Sequence, residues 1–202
     1  AEFIYQDRSE KMSEKNIRSA NPVKNAWLWV PSLYFAEGVP NAIITAVSLV
    51  MLKSLSEGMS NAKIVFWTSL LWLPWVLKPL WAPLIDIYGK KRSWILVSQF
   101  LLALCFIFGS LLIPVPGMIL FFIGILLVAG FVSATHDAAA DGYYIIALDE
   151  HAQSVYSGIR NSFYRAAMIS VQGGLVVLAG KLISEYSMSS GMSWMAVFML
   201  SG

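Results

Sequence analysis

The sequence predicts an all-α integral membrane protein, and three observations carry that prediction. Of its 202 residues, 57% are hydrophobic and only 13% are charged, against roughly 25% charged in soluble domains. The apolar residues gather in runs of about 20, the length that crosses the hydrocarbon core of a bilayer. Eight Trp and eight Tyr supply the amphipathic rings that anchor helices at membrane interfaces. The lipid bilayer is thus the first expected partner. A formal charge of +2 gives no footprint for nucleic acid, and Cys105 lies in an apolar run where packing is its expected role.

Taken in order, residues 1–25 form a polar segment containing Arg8, Lys11, Lys15, Arg18 and Lys24. Met12 reads as the natural start, with residues 1–11 an upstream extension. The first apolar run starts too deep and runs too long for a cleaved signal peptide. Span 1 covers residues 26–52, where Glu37 is the one charge before Lys53. Span 2 covers 64–88, interrupted by Lys78 and Asp86 and containing Pro74, Pro79 and Pro83. From Ser93 to Thr135 there is no Asp, Glu, Lys, Arg or His, and PVPG at 114–117 divides that stretch. It therefore predicts two spans, 93–113 and 117–147, joined by a tight hairpin. Span 5 covers 155–184. Span 6 covers 192–202, about 18 Å of helix, short of the roughly 30 Å core, so it is expected to be incomplete and the chain truncated. The basic N-terminal segment and Lys90, Lys91 and Arg92 fall on one side, which the positive-inside rule makes cytoplasmic.

A charge at mid-bilayer costs about 2.5–3.5 kcal/mol on insertion scales, so each one needs a partner or a polar cavity. Glu37 lies about 18 Å into span 1 and Lys78 about 16 Å from the end of span 2. In antiparallel neighbours these depths match, so the two are expected to pair or to face one cavity, as a static ion pair or as a substrate or proton site. Gly38 and Pro40 beside Glu37, and the three prolines about Lys78, fit helices broken beside such a cavity. In span 5, Tyr164, Arg165 and Gln172 stand along an otherwise apolar helix. Arg165 is expected either to anchor an anionic group through its forked donors or to pair with Asp137 or Asp141. Arg160, nearer the edge, reads as structural or as snorkelling toward lipid headgroups.

Span 4 ends in ATHDAAADGYY, residues 134–144. Asp137 and Asp141 are spaced i, i+4 and share a helix face. They are expected to meet the basic loop, or Arg160 and Arg165, as a charge latch, with helix-end solvation and substrate contact as alternatives. His136 would give such a latch sensitivity to pH near neutrality. No GxSxG, HExxH or phosphate-binding loop occurs, so no enzyme is expected. His136 and His151 lack metal-ligand spacing, and neither a metal nor a cofactor is predicted.

The stretch KPLWAPLIDIYGKKRSW, residues 78–94, lies between the second and third spans. Its D-x-x-G-K-K-R core resembles the cytoplasmic loop signature of the major facilitator superfamily. The wider string, with ATHDAAADGYY and YRAAMISVQGG, looks like the branch of AmpG-type muropeptide permeases and acetyl-CoA transporters. Two positions depart from the signature: Ala82 stands for its leading Gly and Ile87 for its basic residue. The resemblance covers roughly residues 26–185. It implies the N-terminal six-helix bundle of a two-bundle carrier that needs a C-terminal half as partner. It also implies a multi-pass protein of the cytoplasmic membrane that imports muropeptides or a related small-molecule solute, with protons as coupling ion. Asp86, Gly89, Lys90, Lys91 and Arg92 would then belong to the cytoplasmic gate, with Glu37 the proton carrier and Arg165 a substrate anchor. The alternatives are an acetyl-CoA or other acyl-group carrier, or a truncated, transport-incompetent membrane fragment.

Overall fold

The computed structural model describes residues 26–55 and 60–202. Among them there is no strand, and four helices are long and apolar enough to cross a membrane: Ala26–Leu55 (α1), Lys91–Ser110 (α5), Ile119–Ala147 (α6) and Glu150–Ser184 (α7). The described residues are all-helical, and the protein is a multi-pass membrane protein. Shorter pieces complete it: Asn61–Leu70 (α2), Leu73–Leu77 (α3), Ala82–Ile87 (α4) and Ser190–Leu200 (α8). The polar segment 1–25 and the start of the loop after α1 lie outside the described residues.

α1 carries Pro31 and Pro40 and contains a π-helical turn, Ile43–Val47. Proline has no N–H to give, and a wider turn leaves carbonyls to be satisfied by other donors. Side chains supply them. Thr45 donates to the Asn41 carbonyl at 2.7 Å and Ser48 to that of Ile44.

The span expected over 64–88, with prolines about Lys78 that fit a broken helix, is helical in pieces. α2 starts at an N-cap, Ser60, whose hydroxyl accepts from the Lys63 amide. Pro74, Pro79 and Pro83 each stand in the first turn of the piece that follows: α3, the 3₁₀ turn Lys78–Leu80, and α4. A first-turn amide has no intrahelical acceptor, so a proline there costs nothing. Further along a helix it would lose a bond, so three prolines at this spacing divide one span into four pieces. After α4 the chain turns at Gly89, whose φ of +79° is comfortable for glycine. Trp94 donates to the Tyr88 carbonyl at 2.7 Å, and Lys91 to that of Ile85 at 3.1 Å.

α5 and α6 are joined through the PVPG turn, where Gly117 also has φ of +79°. Asp149 caps α7 by accepting from the Ala152 amide at 2.7 Å. α1 packs chiefly on α7, and α5 on α6. At the first contact two backbones nearly meet: a Cβ added at Gly38 would stand 2.7 Å from the Tyr164 carbonyl oxygen and 2.8 Å from the Ala167 Cβ. Such small-residue contacts are how membrane helices gain close packing without a hydrophobic driving force. The largest core cluster joins Ile44 and Met51 of α1 to Phe122 of α6 and Phe198 of α8. Large apolar side chains including Phe66, Val76, Phe100, Phe121 and Ile169 are exposed, a distribution suited to lipid rather than water.

Candidate functional site

Asp141, near the C-terminal end of α6, gathers groups from three other segments. The Tyr34 hydroxyl on α1 donates to Asp141 Oδ1 at 3.1 Å. Arg160 Nη1 on α7 lies 3.4 Å from the same oxygen, and Lys78 Nζ on the 3₁₀ turn lies 3.6 Å from Oδ2. Arg160 also donates to the Tyr34 oxygen at 3.1 Å. Its guanidinium sits 4.9 Å from the Tyr34 ring centroid and 5.1 Å from that of Tyr144, close enough for cation–π attraction. One phenol thus donates to the acid and accepts from the base.

One helical turn earlier, Asp137 is buried, and Trp75 of α3 donates to its Oδ2 at 2.7 Å. Its Oδ1 has no hydrogen-bond partner among the described residues. Glu37 is buried on α1, three residues after Tyr34, and its Oε2 is likewise unpartnered. Glu37 lies within electrostatic reach of Asp137, Asp141, Lys78 and Arg160, and Tyr164 within reach of Asp137 and Glu37. Three carboxyl groups and two cations therefore share one region, formed where α1, the broken second span, α6 and α7 come together.

The expected residues divide accordingly. Lys78 reaches Asp141, and no Glu37–Lys78 ion pair forms. Asp141 meets Arg160, as a latch between span 4 and span 5 would require, while Asp137 meets Trp75 and no cation directly. Tyr164 is half-buried at the α1–α7 contact, but Arg165 and Gln172 are exposed and lie outside the cluster. Arg165 makes no ion pair with a described residue. His136 is buried, and neither ring nitrogen has a hydrogen-bond partner among the described residues. The loop residues form a separate group: Lys91 pairs with Asp86, Lys90 and Arg92 are exposed, and Gly89 makes the turn. Among the described residues no cluster of three His, Cys, Asp or Glu could hold a metal ion.

Tyr34 and Trp75 were not singled out by sequence, whereas Arg160 was one of the cations expected to meet Asp137 and Asp141. Helical spacing carried the signal for both rings: Tyr34 precedes Glu37 by three residues, and Trp75 precedes Lys78 by three.

Comparison with known proteins bears on the family. The chain is 31% identical over 156 residues to a putative transporter AmpG 4 of Rickettsia conorii, covering 73% of this chain and 36% of that protein. It is 28% identical over 195 residues to the anhydromuropeptide permease of Escherichia coli K12, covering 94% of this chain and 38% of the permease. The chain belongs to the AmpG-type permease family. An uncharacterised protein of Haemophilus influenzae is 35% identical over 137 residues, 64% of this chain and 31% of that protein. The chain spans about a third of the length of these relatives. No family model and no solved structure matches it. Within this AmpG-type chain, the Asp141 cluster joins four helical segments, which makes it the candidate functional site.

Proposed function

We propose that this chain is the N-terminal six-helix part of a proton-coupled major facilitator carrier that imports muropeptides, or a related amphiphilic solute, across the cytoplasmic membrane. Its N-terminus is cytoplasmic, and a C-terminal half completes the substrate cavity. The observation that carries the reading is the cluster of Glu37, Asp137 and Asp141 with Lys78 and Arg160. Three carboxyl groups against two cations balance when the cluster takes up one proton. Glu37, with one oxygen unpartnered among the described residues, is the group to which we assign that proton.

Lys78 and Arg160 are the cations that an anionic solute would meet, and Tyr164 lines the same region. Arg165 and Gln172, exposed on α7, would take part where the second half closes over them. The loop Asp86, Gly89, Lys90, Lys91 and Arg92 acts in this reading as the cytoplasmic gate, its Asp86–Lys91 pair one of the contacts that hold a state.

The experiment is uptake of labelled anhydromuropeptide by cells carrying the full-length protein. Uptake should collapse with a protonophore. Glu37→Gln should abolish proton-driven accumulation while sparing exchange of solute across the membrane without a gradient. Uptake that is indifferent both to the protonophore and to Glu37→Gln rejects the coupling assignment, and absence of any muropeptide uptake rejects the substrate.

A further inference from the structure

A groove of about 410 Å³ runs between α1 and α5, lined also by Tyr143 of α6 and by none of the residues of the Asp141 cluster. Each wall is one helical stripe. Trp29, Ser32, Leu33 and Ala36 follow the spacing i, i+3, i+4, i+7 on α1, and Arg92, Ile95, Leu96 and Gln99 repeat it on α5. The groove begins in the first turns of both helices, so Trp29 and Arg92 mark its mouth and Ala36 and Gln99 lie about 10 Å deeper. Arg92 is exposed and has no ion pair with a described residue, whereas the neighbouring Asp86 carboxylate is taken by Lys91. The Trp29 ring packs edge-on against Tyr143 at 5.0 Å, and its indole N–H has no acceptor among the described residues. The walls below the mouth are largely apolar, with Leu33, Ile95 and Leu96 facing one another.

We infer that this groove binds an anionic phospholipid, with its phosphate on Arg92 and one acyl chain along Leu33, Ala36 and Leu96. Charge and depth choose the occupant. An arginine fork suits a phosphodiester, and a cation in the first turn of a membrane-crossing helix stands at headgroup level with its aromatic neighbour. A peptide or soluble anion would leave the apolar walls uncovered, and a lipid without net charge would leave Arg92 unmatched.

The test is native mass spectrometry of the detergent-purified full-length protein with added phosphatidylglycerol or phosphatidylcholine. The wild type should retain phosphatidylglycerol in at least about tenfold preference. Arg92→Ala should remove that preference, Arg92→Lys should keep part of it, and Lys90→Ala, a cation outside the groove, should leave it unchanged. Ala36→Trp, which fills the groove, should lower lipid retention with Arg92 intact, and a melting temperature near the wild-type value would show that this variant folds. Equal retention of the two lipids, or a preference that survives Arg92→Ala, overturns the inference. Displacement of the lipid by millimolar inorganic phosphate would instead assign the site to a free anion and overturn the lipid as its source.

Discussion

Tyr34 does work in the cluster that a full charge could not do. Its hydroxyl donates a hydrogen bond to Asp141 and accepts one from Arg160, so it keeps acid and base in register while they stand 3.4 Å apart. Tyr34→Phe removes both bonds and leaves the ring beneath the guanidinium. Because Asp141 is 38% exposed, its ion pairs weigh only about 0–1 kcal/mol each in stability. Asp141→Asn and Tyr34→Phe should therefore melt close to the wild type and yet lower uptake about fivefold or more. A double-mutant cycle refines this: Lys78→Met with Asp141→Asn should be less impaired than the sum of the single changes, because the two residues share a contact. Strict additivity would mean that the 3.6 Å contact carries no coupling. At this scale the sequence was partly legible. The charged members Glu37, Lys78, Asp137 and Asp141 were visible because charge is rare in an apolar run. Among the partners Arg160 is legible for the same reason, but Tyr34 and Trp75 are not, because an uncharged ring does not stand out in an apolar run, and the turns of the broken second span set the orientation of Lys78.

At the scale of elements, proline position and glycine contacts decide the architecture. The segment from Leu71 to Ala82 is cut into short turns, and short helical pieces hold few internal hydrogen bonds. Its amides should exchange with deuterium well ahead of those in the middle of α6, and equal protection would contradict the broken reading. The three prolines were plain in the sequence, but whether they kink one helix or divide it depends on their phase within each turn, which only the backbone reveals. Gly38 shows the opposite case, a residue whose importance comes from what is absent. Gly38→Leu forces side-chain atoms into the Tyr164 backbone and should destabilise the protein by about 1–3 kcal/mol, read as a fall in melting temperature in detergent. An unchanged melting temperature would show that α1 and α7 part at no cost.

On the scale of the whole molecule, composition was enough to announce a membrane protein, because an apolar exterior cannot be reconciled with water. The exposed rings of α5 make that specific. Spin labels at Phe100→Cys and Phe108→Cys, in a Cys105→Ser background, should collide more readily with oxygen than with a water-soluble nickel complex in bilayers. The reverse order would place that face of α5 in an aqueous cavity or protein interface.

The near-contact of backbones at Gly38 has a mechanical consequence. With no side chain to cushion them, α1 and α7 cannot slide past one another by small rotamer adjustments, so they behave as one strut. Tyr34 and Arg160 ride on that strut. Asp141 is carried by α6, and Lys78 by the jointed second span. Any tilt of the strut against the rest of the bundle would thus tear the cluster along a fixed seam, parting Tyr34 and Arg160 from Asp141 while the Lys78–Asp141 contact travels with the other side.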